Sequence, residues 1–456
     1  MFATGYNTIG RISSYERDNQ SFIFNCGESL IKIHFLTDRM FHLSMLHHNF
    51  SGERSWAIVP KEWENIEPHL EEVEYLFLLK TRALRLAINK DPFRLVVEDL
   101  NGGVILEDTE PAGVHWRGNR VISAKKMPSD EHYYGFGEKT GRLDKRGYHY
   151  VMRTRDSIFY QGKTDPLYQA IPFFVGVRRG RCYGIFLDNN WETFFDMGKK
   201  SNNIFFFGAE GGELNYYFFY GPDIKEVINQ YTELTGKIPL PPVWSLGYHQ
   251  SRWSYKSEEE VLKVADELKK HEIPCDAISL DIDYMDGFRV FTWDKKRFPN
   301  PRGLAEACRE RGLRLCAIID PGVKVDENYD IFREGIENDY FIKRKDGTLF
   351  YGYVWPGKTV FPDFTREDVR KWWGNYVKSF QKDSGVSGLW NDMNEPSYNI
   401  KYPLRQVSVN GLIFYDNGLN TPFEKNRNVF GLLMAKATCE GLLEGEPNKR
   451  YFGVNP

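Results

Sequence analysis

Cysteine is scarce in this sequence and scattered. The six copies, Cys26, Cys182, Cys275, Cys308, Cys316 and Cys439, form no C-x-x-C pair and stand at ligand spacing from no histidine. That pattern argues against a disulfide framework and against a zinc module. A surplus of one charge is lacking as well: 60 basic residues against 63 acidic ones leave a net charge of -3, which indicates neither nucleic acid nor an anionic membrane as partner. No run of about 18 apolar residues occurs that could cross a bilayer. The opening MFATGYNTIGRISSYERD has no basic segment followed by an apolar stretch, so a cytoplasmic protein is expected.

Aromatic residues, by contrast, are abundant. Twenty-six Tyr, 33 Phe and 11 Trp make up 15% of the 456 residues, a supply that suits β-sheet packing and also sugar-stacking surfaces. Packing is the commoner explanation for any single ring. The length favours two or more domains.

From the start to about Lys237 the pattern is short and strand-like, with SFIFNC, SLIKIHFL, CYGIFLD, NIFFFG and LNYYFFYG punctuated by Gly, Asp and Asn. EYLFLLKTRALRLAINKDPFRLVVED reads as a β-meander with NKDP at one turn. These segments predict an antiparallel β-sandwich over residues 1–237. The proline-rich KIPLPPVW then marks a boundary.

Beyond it, strand and helix alternate four times, which predicts a parallel α/β architecture over 238–456. WSLGYHQ precedes the helix SEEEVLKVADELKKHEI, with Ser257 as N-cap, Glu260 closing a capping box, and Val261, Val264 and Leu268 as its apolar stripe. CDAISLDIDYMD, LRLCAIIDPG and GVSGLWNDMNE supply the other strands. PRGLAEACRERG ends at Gly312, TREDVRKWWGNYVKSFQKDSG takes Thr365 as its N-cap, and NVFGLLMAKATCEGL is the last helix. Inserts near 321–364 and 396–427 break the alternation. Both follow the C-terminal ends of strands, where a (β/α)8 barrel carries its active site.

Three of the four strands also end in acid: Asp281 and Asp283, Asp320, and Asp392. For Asp320, followed by Pro321 and Gly322, a turn role competes evenly with a functional one. Carboxylates gathered among aromatics, without Cys or His, point to glycoside chemistry, in which one carboxylate attacks or activates water and another protonates the leaving oxygen. A magnesium site is the main competitor.

GLWNDMNEPS resembles the nucleophile signature of glycoside hydrolase family 31, the α-glucosidase family. The likeness extends in family order through LDIDYMDGFRVFTWD, AIIDPGV, GYVWPGKTVFPDFT and NVFGLLMAKATCEGL. YGFGEKTGRLDKRG and DPLYQAIPFF are similar to the family's β-sandwich domain. The resemblance implies that Asp392 is the nucleophile of a retaining α-glucosidase acting on non-reducing-end α-glucosides, with Glu395 in support. It places Asp281, Ile282, Trp355, Trp390 and Met393 in the sugar pocket, and Asp156 on a sandwich-domain loop reaching the barrel mouth. It implies no cofactor and no metal, and an α-linked oligosaccharide as partner.

One family feature has no match. The general acid of the family lies in a segment resembling W-T-G-D, downstream of the nucleophile, and no such segment stands in this sequence. The expectation is therefore a partial (β/α)8 barrel and an incomplete catalytic domain, weak or inactive alone. The alternatives are a catalytically silent sugar-binding fragment, an α-glycosidase of other specificity such as an α-xylosidase, and a metal-dependent hydrolase.

Overall fold

The computed structural model describes residues 5–47, 54–157, 159–399 and 407–454. Residues 400–406, within the second expected insert, lie outside them. The chain divides into two compact units, Met1–Lys237 and Ile238–Pro456.

The first unit is an antiparallel β-sandwich domain built from sheets of eight, six and five strands. Period-two burial makes the sheets: in Phe93–Asp99, Phe93, Leu95 and Val97 turn inward and their neighbours outward, and Leu84, Leu86 and Ile88 do the same on the preceding strand. Leu76–Lys80, Leu84–Lys90 and Phe93–Asp99 are sequential antiparallel neighbours, the meander read from the sequence. Their inward residues join Phe22, Phe24, Ile31 and Ile33 of the eight-stranded sheet and Phe195, Phe205 and Phe207 of the six-stranded sheet in one core.

A buried ion pair lies in this unit. Lys125 Nζ is paired with Asp108, with side chains only 2% and 1% exposed, and Asp108 Oδ2 also accepts from Leu95 N at 2.8 Å. The unit ends in a helix, Ile224–Thr235, where only strands were expected. Its capping signal is plain in retrospect: Asp223 Oδ1 accepts from Glu226 N at 3.0 Å.

The second unit carries five parallel strands in the order His249–Ser251, Ala277–Leu280, Arg314–Ile319, Gly388–Asn391 and Gly453–Val454. The first four match the sequence reading, and the fifth, a two-residue strand, adds to it. Helices Glu258–Lys270, Pro301–Glu310, Glu367–Ser384 and Phe423–Gly445 intervene. Ser257 caps the first as expected, but Glu260 reaches back to Lys256 N rather than to Ser257 N, and this opens the box by one residue. Gly312 takes the positive φ (+82°) that stops the second.

Thr365 is not the N-cap of the third helix. That helix starts at Glu367 after Arg366, because the Thr365 hydroxyl is taken up by Asp363 Oδ1 at 2.5 Å and by Asp416 N at 3.0 Å. The last helix begins at Phe423, five residues before the expected Asn428, so the insert is shorter than 396–427. It packs closely on the third helix: a Cβ at Gly441 would lie 2.3 Å from Gly374 O.

The inserts are structured and joined. Lys343–Arg344 of the first pairs antiparallel with Leu412–Ile413 of the second. The first also holds a helix, Asp330–Glu337, and a hairpin of Gly352–Val354 with Gly357–Val360. Among the described residues no helix is long and apolar enough to cross a membrane.

Candidate active site

The barrel register gathers the acids. Ile319 pairs with Asn391, so one residue further Asp320 comes opposite Asp392, and Asp392 N donates to Ile319 O at 3.1 Å. Leu280 pairs with Ala317, which puts Asp281 level with Ile318 and Trp390. Alternation then gives Asp281, Ile318, Trp390, Asp320 and Asp392 the same side of the sheet. Three strand ends thus deliver three carboxylates to one face at the C-terminal edge.

Asp320 is the most buried of them, at 6% exposed, and its Oδ1 has no hydrogen-bond partner. Burial, and then the charges of Asp392, Asp281 and Glu395, push its carboxyl well above the usual carboxylate range. Its Oδ1 makes no turn hydrogen bond. The apolar run LCAII directly before it marks a strand end equivalent to that before Asp281, the signal by which the sequence groups it with the other acids.

Asp281 accepts from Ile282 N at 2.7 Å and starts a short 3-10 turn. Burial raises its pKa, the Ile282 hydrogen bond opposes this, and Asp283 adds to it. Asp283 serves otherwise: Lys256 Nζ binds it at 2.8 Å and Arg297 stands 3.8 Å away. Burial works against its ionisation, but these partners win and its pKa falls.

The motif around Asp392 is clamped by the last helix. Thr438 Oγ1 donates to Asn391 Oδ1 at 2.9 Å, Asn394 Nδ2 lies 3.6 Å from Met434 Sδ, and Gly431 leaves room for Asn394, whose O would be 3.0 Å from a Cβ there. Gly431, Met434 and Thr438 recur at helical spacing, so one face of one helix holds the segment. Met393 has φ +59°, a left-handed conformation costly for a non-glycine residue and found where surroundings impose it. Glu395, 6% exposed, accepts from Ser397 Oγ at 2.9 Å.

Among the expected pocket residues, Trp390 and Met393 are half-buried and Ile282 is buried at 2%. Trp355, at the tip of the insert hairpin, lies 5.4 Å from Trp253, centroid to centroid, at 54°. Trp253 was missed by the sequence reading. It follows the first barrel strand, in SRWSY, and is 68% exposed. Asp156 is exposed on a loop of the first unit, which the structure describes separately from the barrel. Among the described residues no group of three or more His, Cys, Asp or Glu is disposed to hold a metal ion.

Fold and site together define a β-sandwich domain followed by a parallel barrel with a carboxylate cluster at its strand ends. A family model described as "Glycosyl hydrolases family 31 TIM-barrel domain" matches residues 238–455, and "Glycosyl hydrolase 31 N-terminal galactose mutarotase-like domain" matches residues 30–196. The chain belongs to glycosyl hydrolase family 31. It is 40% identical over 448 residues to alpha-glucosidase 2 of Bacillus thermoamyloliquefaciens, covering 97% of this chain and 56% of that one. To an alpha-glucosidase of Saccharolobus solfataricus it is 36% identical over 353 residues, 74% of this chain and 50% of the other. The chain therefore spans about half the length of these relatives. Among solved structures, a Flavobacterium johnsoniae GH31 dextranase complexed with glucose superposes with a TM-score of 0.90 at 30% identity, covering 98% of this chain and 55% of that chain. A mutant of it complexed with isomaltotriose gives 0.91, also at 30% identity, over 99% and 55%.

Proposed function

We propose that this chain supplies the nucleophile and the sugar-recognition half of a retaining α-glucosidase that removes glucose from non-reducing ends. The observation that carries the reading is the register that sets Asp392 at its strand end opposite the buried Asp320, inside the W-N-D-M-N-E motif. The likeness to two α-glucosidases supports the substrate class.

In this reading an Asp392 carboxylate oxygen attacks the anomeric carbon as the bond to the leaving oxygen breaks. The leaving oxygen takes a proton from an acid, and the covalent β-glycosyl-enzyme is then opened by water, which restores the α configuration. Burial and the neighbouring acids disfavour ionisation of Asp320, which limits the negative charge gathered at this face. Asp281 accepts hydrogen bonds from sugar hydroxyls, and Trp355, Trp390 and Met393 wall the ring.

The proton donor is the part this sequence does not offer by motif. General acid catalysis contributes on the order of 10² to 10⁴ in rate, so the chain should favour α-glucosyl fluoride, whose leaving group needs no proton, over maltose by about that factor. Isomaltose belongs in the same assay, since the mutant dextranase structure contains isomaltotriose. NMR of the first-formed sugar should show α-glucose. β-Glucose as first product would refute retention, and maltose hydrolysis as fast as that of the fluoride would place a proton donor within these 456 residues.

A further inference from the structure

The eight-stranded sheet of the sandwich domain buries Ile31, Ile33, Phe41, Leu43 and Leu214 in the core, so the residues between them face the other way. Cross-strand register sets those outward residues in two rows. One runs Ser21, His34, His42, Tyr217; beside it runs Ile23, Lys32, Ser44, Asn215. An antiparallel sheet often shows a polar face to water, and a plain solvated face is the ordinary explanation. Three observations go beyond it.

Ser21, His34, His42, Lys32, Ser44 and Asn215 of these rows floor a groove of about 770 Å³, with Trp63 and Asn65 on its wall. That is within the size range of small-ligand sites, roughly 300 to 1,000 Å³. The floor is withdrawn from solvent, with Ser44 at 6% and Asn215 at 9% exposed.

Its polar groups are also pre-oriented. His42 Nε2 pairs with Asn215 Oδ1 at 3.2 Å, and Asn215 Nδ2 donates to Glu213 Oε2 at 3.2 Å. Ser21 Oγ pairs with His34 Nδ1 at 2.8 Å, while the His42 ring stacks on Tyr217 with centroids 4.4 Å apart. The half-buried Lys32 takes part in no ion pair among the described residues.

These groups select a ligand by chemistry. Burial, partly offset by the Asn215 hydrogen bond, brings His42 down to about 4, and burial with Lys32 lowers His34. At neutral pH both rings are uncharged, each a donor and an acceptor. A phosphate-like anion would meet one cation, Lys32, with Asp18 and Glu213 also lining the groove. A purely apolar ligand would cover the Lys32 ammonium and the second ring nitrogens, His34 Nε2 and His42 Nδ1, without offering them a hydrogen bond. A pyranose meets both demands, with hydroxyls for the rows and C–H groups for Trp63, which lines the groove with Lys61 over one face of its ring.

We infer that this groove is a second carbohydrate site, formed by sandwich-domain residues and sized for one or two neutral hexose units. It serves to hold sugar, not to cleave it.

The test uses the full chain carrying Asp392→Asn, titrated with maltotriose while the His34 and His42 ring signals are followed by NMR. Both should shift saturably, and Trp63→Ala or Lys32→Ala should weaken the response about tenfold, equivalent to about 1.4 kcal/mol. Trp63→Phe should restore most of it. Shifts absent from both rings would overturn the inference. So would shifts that survive Trp63→Ala and Lys32→Ala but vanish in Trp390→Ala, since the sugar would then sit in the barrel alone. Inorganic phosphate producing the same shifts at lower concentration than maltotriose would make the groove an anion site and overturn it too. The readout is binding, so failure of the α-glucosidase reading would not imitate failure here.

Discussion

Glu131→Gln in the sandwich domain offers a perturbation whose size can be worked out in advance. Glu131 is 2% exposed and its Oε1 accepts from the Tyr183 hydroxyl at 2.5 Å. Burial pushes its carboxyl from the ordinary 4.5 up to about 7, against the pull of the Tyr183 hydrogen bond and of Arg178 and Arg146. At about 1.36 kcal/mol for each pH unit, that displacement amounts to about 3 kcal/mol. The folded state holds this proton more tightly than the unfolded one. The stabilisation is therefore complete below about pH 4.5 and is lost as pH rises through about 7.

Glutamine keeps the volume and the acceptor for Tyr183 but does not titrate. Relative to wild type, the variant should gain up to about 3 kcal/mol between about pH 4 and pH 8. Because the chain has two units, a single global transition is the wrong readout. Hydrogen exchange in His132–Gly135 and Phe173–Arg178, which pair with one another, reports the region directly. Identical pH profiles for the two proteins, or a variant that loses ground as pH rises, would refute the reasoning.

Asp320→Asn should act in the same direction in the barrel: above the ordinary carboxylate range the wild type should lose stability relative to the variant, and urea titrations across pH should show the two converge under acid. A variant less stable than wild type at neutral pH, with the gap closing under acid, would mean that Asp320 is charged and paired. Lys125→Met should cost about 3 to 5 kcal/mol, because Asp108 is left charged, buried and uncompensated. Adding Asp108→Asn should recover part of that in the same denaturation assay, and a single variant of native stability would contradict the buried pair.

Much of this architecture is legible because it is local. Alternation in Phe93–Asp99 and Leu84–Lys90 fixes a strand and its inward face at once, and Ser257 announces a helix start by a contact three residues long. What stayed hidden depends on partners distant in sequence. Thr365 has the composition of an N-cap, but Asp363 and Asp416 claim its hydroxyl, and the second partner is 51 residues away. The two-residue pairing of Lys343–Arg344 with Leu412–Ile413 is too short to leave a pattern. The site followed the same division. Asp281, Asp320 and Asp392 all stood out at strand ends, with a turn role weighing evenly for Asp320 because Pro321 and Gly322 follow it. Only the register opposite Asp392 makes it part of the cluster.

The proposed chemistry turns on Asp392 as the attacking group. Incubating the protein with 5-fluoro-α-D-glucosyl fluoride, whose fluoride departs without a proton and whose ring fluorine slows the second step, should leave one glycosyl adduct. Peptide mass mapping should place it on Asp392 and find none in Asp392→Asn. An adduct on Asp281, Asp320 or Glu395, or turnover of the fluoride unchanged in Asp392→Asn, would contradict the assignment.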